Sequence, residues 1–157
     1  MKIDIATSHE HWMRLAMEQA ELAANKNEIP VGAVIVYQNE LIAQAHNQPI
    51  LDSDPSSHAE MNALRIAGKK LSNYRLPDLD LYVTLEPCLM CAGAIMNARI
   101  SRVFFGAFDP KTGVAGSVLN VFEETKLNHH TDVQGGILGD DCAHLLKTFF
   151  RNKRANT

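Results

Sequence analysis

His58, Cys88 and Cys91 are the residues of this chain whose types and spacing can do chemistry. One imidazole and two thiolates make three ligands for a metal ion such as zinc. Three protein ligands on a tetrahedral ion leave the fourth position to water, the arrangement of a catalytic rather than a structural site. Glu60 follows the histidine by two positions. It offers the carboxylate needed to move protons between an activated water and a substrate. Taken singly, each part has a plainer reading. His58 alone could be a surface histidine. Cys88-Leu89-Met90-Cys91 alone could be a structural metal pair or a thioredoxin-like redox pair. Ser57-His58-Ala59-Glu60 is also a capping box, with Ser57 at the cap and Glu60 at the third helical position. In this order and thirty residues apart, His58 to Cys88, the parts converge on a metal site that activates water.

The metal ligands need elements that bring them together. Apolar spacing predicts a first helix from Ser8, its cap, to about Lys26, with Trp12, Leu15, Ala16, Leu22 and Ala23 on one stripe. Residues 31–37 and 41–45 read as a hairpin around Gln38-Asn39-Glu40. A polar loop over 47–57 holds Pro49 and Pro55. A helix over 58–69, a strand over 79–85, a helix over 88–98 and a strand over 103–107 follow. Beyond a loop at 109–113 come a weak helix near 118–124, a short strand around Val133, and a last helix capped by Asp140 and running to about Arg151. This order predicts an α/β fold, one sheet with helices on both faces, within a single domain spanning 1–157. Both halves of the metal motif then fall at helix starts. Helix N-termini favour thiolate over thiol, and the two helices must lie side by side.

The 157 residues are 46% hydrophobic and 21% charged, as expected of a soluble globular chain. No apolar run reaches the ~18–20 residues of a membrane span, and residues 1–5 lack the apolar core of a signal peptide. A cytoplasmic location is expected. Three cysteines, two of them in a CxxC pair, are not a disulfide framework. Cys142 shares a helical face with Leu145, Leu146, Phe149 and Phe150 and reads as core; the other reading makes it a fourth metal ligand. Trp12, Phe104 and Phe105 also read as core. The net charge of −3 does not advertise nucleic-acid binding. Locally, Lys147, Arg151, Lys153 and Arg154 make a basic cluster, which either meets RNA backbone or answers the helix dipole. Residues 106–112 end in Lys111-Thr112 like a phosphate-binding loop, but Pro110 stands where that loop needs glycine.

With these residues in hand, the chain resembles the bacterial tRNA-specific adenosine deaminases over nearly its whole length. Ser8-His9-Glu10-His11-Trp12, Ile29-Pro30-Val31-Gly32, His58-Ala59-Glu60, Thr84-Leu85-Glu86-Pro87-Cys88-Leu89-Met90-Cys91, Lys111-Thr112-Gly113, Asn128-His129 and Phe149-Phe150-Arg151 carry the likeness. The resemblance implies a cytidine deaminase-like three-layer α/β/α fold with a five-stranded mixed sheet, a homodimer, and one zinc per subunit on His58, Cys88 and Cys91. It implies conversion of adenosine to inosine at the wobble position of a tRNA anticodon, with Glu60 as the catalytic proton shuttle. The side-chain amide of Asn47 matches a residue that touches the target base, and Ile29 and Val31 match the wall of its pocket. Asp109 and Lys111 match the loop at the pocket mouth, where flanking nucleotides lie. Asn128, His129, Phe149, Phe150 and Arg151 match parts that line the RNA path, which in this family draws on both subunits. Phe108 departs from the pattern, standing where a polar or basic residue is expected, and the basic tail is short, ending at Thr157. Two other functions fit the same chemistry or the same motif: deamination of free guanine or cytosine bases or nucleosides, and a non-enzymatic zinc-stabilised RNA-binding subunit.

Overall fold

Gln38 and Asn39 both take positive φ, 46° and 63°, the backbone of a two-residue turn whose twist suits a hairpin. They join β1 (Gly32–Tyr37) to β2 (Glu40–His46), with Tyr37 paired to Glu40. In this computed structural model residues 5–156 are described. Residues 1–4 of the stretch read for a targeting signal, and Thr157, lie outside the described residues.

The sheet has five strands in the order β2-β1-β3-β4-β5, where β3 is Asp80–Leu85, β4 is Arg102–Ala107 and β5 is Asp132–Gln134. β1 pairs antiparallel with β2 and β3; β3–β4 and β4–β5 pair parallel. This is the five-stranded mixed sheet that the family resemblance implies. Side chains alternate between its faces. Ala33, Ile35, Leu81, Val83, Val103 and Phe105 enter one core with Ala59, Ala63 and Ala67 of α3 (Ala59–Leu71) and Ala92 and Ile95 of α4 (Leu89–Asn97). Val34, Val36, Tyr82 and Phe104 enter another with Trp12, Met13 and Ala16 of α1 (Ile5–Asn25) and Cys142 of a long C-terminal helix. The layers are therefore α/β/α. The remaining helix, α2 (Pro49–Asp52), is a single turn within the polar loop, so the C-terminal helix is α5 (Gly139–Ala155).

Four local expectations are corrected. Ser8 lies inside α1, which starts at Ile5. His9, stacked on Phe104 at 4.1 Å and bonded to the Tyr82 hydroxyl at 2.7 Å, ties the first turns to the sheet. Leu22 is 45% exposed, because the buried stripe runs through Trp12, Ala16, Ala20 and Ala23 and passes it by. The weak helix near 118–124 is only a 3-10 turn, Val121–Glu123. Asp140 is in the first turn of α5 rather than at its cap, which is Leu138 at φ 51°, and α5 continues past Arg151 to Ala155.

The seat of α1 on the sheet is Gly32. A Cβ there would sit 1.9 Å from the Ala16 carbonyl oxygen and 2.6 Å from the Ala20 amide, both backbone atoms that cannot turn aside. Ala16 and Ala20, fully buried, complete the close approach. Gly32→Ala is therefore expected to destabilise the fold by about 1–3 kcal/mol, the usual cost of overpacking. A lowered urea midpoint with an unchanged slope would register it.

Candidate metal centre

His58 is the N-cap residue of α3 and Cys88 that of α4, each with extended backbone, at ψ 156° and 174°. Cys91 lies one turn into α4. The ligand residues thus occupy the ends where first-turn N–H groups have no intrahelical partner and the helix dipole is positive. α3 follows the β1–β2 hairpin and α4 follows β3, and the pairing of β1 with β3 sets the two helix starts side by side.

The three side chains converge. Nδ1 of His58 lies 3.6 Å from the Cys88 sulfur and 3.5 Å from that of Cys91, and the three donor atoms lie within 4.8 Å of one another. A tetrahedral ion at ordinary zinc–sulfur and zinc–nitrogen lengths would hold nitrogen and sulfur about 3.6 Å apart. The donor set therefore fits such an ion. Electrostatics agrees. A hydrogen bond from the Cys91 thiol, with His58 beside it, pushes the Cys88 thiol down to about 4. The same hydrogen bond and burial push Cys91 up. The bond to Cys88 holds His58 above the ordinary histidine range. A metal ion would take both sulfurs as thiolates and displace the proton that they share here.

Glu60 is buried beside them, 4% exposed. Burial pushes its carboxyl up to about 7, and the nearby Cys88 sulfur adds to this. A carboxyl in that range can both hold and release a proton near neutral pH.

The capping box expected from Ser57 and Glu60 is absent. His58 takes the cap position, so Ser57 falls one residue outside the helix and its hydroxyl donates to Asp52 at 2.6 Å. Its place is taken across the chain by Asn47, whose Oδ1 accepts the Ala59 amide at 2.8 Å. Asn47 is thus held against the peptide between His58 and Glu60. Its own amide donates to the Val31 carbonyl at 3.0 Å, which places buried Val31 alongside. Ile29, two residues away, is 43% exposed.

Glu86, next to the Pro87-Cys88 motif, carries no role expected from the sequence. Its carboxylate, almost fully buried, accepts the amides of Asp109 (3.0 Å), Ala115 (2.8 Å) and Ser117 (3.1 Å) and the Ser117 hydroxyl. It ties the loop over 108–117 to the segment that enters α4. Gly113 is required there, since a Cβ would meet the Glu86 carboxyl at 2.3 Å. Its one sequence signal is a lone carboxylate between an apolar strand and a metal ligand. Within the loop, Asp109 accepts the amides of Lys111 and Thr112 and the Thr112 hydroxyl, leaving Lys111 exposed. Phe108, 57% exposed, packs edge-on against Phe105.

The other expected residues separate into two groups. Phe149 is half-buried and lines a groove with Asn27 and Pro30, at the metal-bearing end of the sheet, with Lys153 over its ring at 5.4 Å. Phe150 is 40% exposed and Arg151 is exposed. His129 instead donates to the Ile100 carbonyl at 2.9 Å, just before β4, with exposed Asn128 next to it. The metal ligands lie beyond the other end of that strand direction, so about 20 Å of six-residue strand separates the two places within one chain.

A family model described as MafB19-like deaminase matches residues 7–154. The chain is 49% identical over 146 residues to the tRNA-specific adenosine deaminase of Haemophilus influenzae, covering 92% of this chain and 84% of that one. The chain belongs to the tRNA-specific adenosine deaminase family. The relative from Bacillus subtilis that bears the family name is 44% identical over 148 residues, covering 94% and 92%. A structure solved in a study of A-to-I editing by tRNA:A34 deaminases at the wobble position of transfer RNA superposes with a TM-score of 0.84. It is 42% identical, and 87% of this chain and 99% of that one are covered. The three-layer fold of the tRNA-specific adenosine deaminases is thus the fold of this chain.

Cys142 lies on the opposite face of the sheet from the metal group, 1% exposed among Trp12, Met13 and Phe104. Among the described residues, His58, Cys88 and Cys91 form the one group of three or more His, Cys, Asp or Glu side chains placed so that it could hold a metal ion. Cys142→Ala is accordingly expected to keep the full metal content of the wild type. Elemental analysis of the purified variant checks this, and loss of metal from a folded Cys142→Ala protein would contradict the three-ligand site.

Proposed function

We propose that this protein is a zinc-dependent deaminase that converts adenosine to inosine at the wobble position of tRNA anticodons. The observation that carries the reading is the buried Glu60 carboxyl beside three donors at tetrahedral spacing, in a chain of this family. His58, Cys88 and Cys91 would hold the zinc, one per subunit. Zinc supplies Lewis acidity that activates a water molecule near neutral pH.

The chain's own residues do the rest. Glu60 takes a proton from the attacking water and delivers it to the ring nitrogen next to carbon 6. A second transfer protonates the amine, which leaves as ammonia while the water oxygen stays on carbon 6. The Asn47 amide orients the base. Its oxygen faces the Ala59 N–H, so its NH2 group points elsewhere, with no protein partner among the described residues. Ile29 and Val31 wall the base, and Asp109 and Lys111 meet flanking nucleotides on the loop anchored by Glu86. A base in an anticodon loop has no pairing partner, which lowers the cost of turning it outward.

The partner is a tRNA anticodon stem-loop. Phe149, Phe150 and Arg151 lie at the metal-bearing end of one chain, but Asn128 and His129 lie at the other end of β4. A second copy of the chain would bring the two groups onto one RNA surface, the arrangement expected of a homodimer. Residues 1–157 act as one deaminase domain. No helix among the described residues is long and apolar enough to cross a membrane, and the proposed location, with the tRNA pool, is the cytoplasm.

Glu60→Ala is expected to keep zinc and fold while losing about a hundred- to ten-thousand-fold in turnover. Inosine formation in a synthetic anticodon stem-loop measures it; a variant with a tenth of the wild-type single-turnover rate would take Glu60 out of the mechanism. The same assay with free guanine, cytosine and adenosine tests the substrate class. Neutralising Arg151, Lys153 and Arg154 together is expected to weaken RNA binding. The log–log salt dependence should fall by about two, at roughly 0.7 per single-strand phosphate contact. Turnover at saturating RNA should hold. A lower melting temperature with the wild-type salt slope would assign these residues to the helix dipole instead.

A further inference from the structure

Glu28 is a carboxylate with no part in the chemistry above, yet it is 1% exposed. Its two oxygens accept the backbone amides of Ile50 (3.2 Å) and Leu51 (2.9 Å). These are first-turn amides of α2, where Pro49 is the first residue and Gln48 at the cap makes no side-chain cap bond. Burying a carboxylate is costly unless such donors satisfy it. Here the cap of one short helix comes from a residue 22 positions upstream, just past the end of α1.

Hydrophobic packing does not hold α2. It has no buried residue, and Ile50 and Leu51 are 68% and 56% exposed. Polar contacts therefore fix the whole segment over 47–58. Gln48 donates to the Ser57 carbonyl at 3.0 Å, and Ser57 to Asp52 at 2.6 Å, closing the segment into a ring between Asn47 and His58. Asn47 is gripped at its carbonyl by His46 Nδ1 at 2.9 Å, and Lys26 Nζ lies 3.3 Å from the other nitrogen of that ring. Glu28 joins this ring to the α1–β1 segment, whose Val31 carbonyl takes the Asn47 amide.

We propose that Glu28 is a positioning residue for deamination: by capping α2 it holds the ring that presents the Asn47 amide to the base. The inference rests on the base-contacting role of Asn47 given under the proposed function. Glu28→Gln keeps the side-chain volume but turns an NH2 group toward one of two N–H donors. Asn47→Asp keeps the oxygen that caps Ala59 and removes the NH2 donor.

The test is single-turnover inosine formation in a synthetic anticodon stem-loop by the zinc-loaded, full-length protein, with both variants and their combination. Glu28→Gln is expected to keep its zinc and, within about threefold, its half-saturating RNA concentration. Its rate at saturation should fall about ten- to a hundred-fold, as a misplaced orienting group does. In the Asn47→Asp background the same change should cost less than about threefold, because residues acting through one contact are not additive. Should Glu28→Gln fail to fold, Glu28→Asp, which keeps both oxygens on a shorter stem, is carried through the same cycle with the same coupling expected. A wild-type rate for the Glu28 variant, an undiminished loss in the Asn47→Asp background, or loss of zinc along with the rate would overturn the proposal. A wild-type rate for Asn47→Asp would remove the base contact itself, and the positioning role with it, and is distinguishable because it needs no change at Glu28.

Discussion

The candidate site depends on bringing one nitrogen and two sulfurs to the corners of a single tetrahedron from segments thirty residues apart. Side chains alone could not do it reliably. The fold does it with helix starts: His58 and Cys88 are the N-cap residues of α3 and α4, with extended backbone, and Cys91 is in the first turn of α4. The pairing of β1 with β3 brings two such starts together. Close seating of α1 at Gly32 and of α3 through its alanines keeps the sheet from shifting beneath them.

Around that centre, three buried glutamates divide the labour by what satisfies them. Glu86 is surrounded by N–H and O–H donors and anchors a loop. Glu28 faces two amides and caps a helical turn. Glu60 meets its own backbone N–H and the Cys91 thiol, yet burial outweighs both and raises its proton affinity. One residue type thus gives two backbone anchors and one carboxyl set beside His58 and the two cysteines, the difference lying in which groups each meets.

The grouping of His58, Cys88 and Cys91 and the order of elements were legible in the sequence because both rest on local signals. Ligand chemistry admits few residue types, and apolar periodicity separates strands from helices over a few turns. What escaped rests on long-range pairing. Ser57 and Glu60 have the spacing of a capping box, but the acceptor at the start of α3 is Asn47, twelve residues upstream of Ala59. Glu28 and Glu86 look like ordinary carboxylates until the loops they serve fold over them. Leu22 satisfies a helical stripe on paper, yet the buried stripe of α1 runs through Trp12, Met13, Ala16, Ala20 and Ala23 and passes it by. His129 sits at the far end of β4 because the chain between β4 and β5 returns to the start of the parallel ladder, a consequence of topology that no short window contains.

The placement of His58 and Cys88 at the starts of different helices would also make a bound ion a cross-link. It would join α3, which follows the hairpin, to α4, which connects two parallel strands. An ion that binds only the assembled site stabilises the native state in proportion to the logarithm of its concentration over its dissociation constant. Chelation would therefore loosen the helix pair as well as silence the chemistry. Acid would act in the same direction, since both sulfurs must shed their protons to hold the ion. Metal supply and conformational integrity are, in this architecture, the same variable.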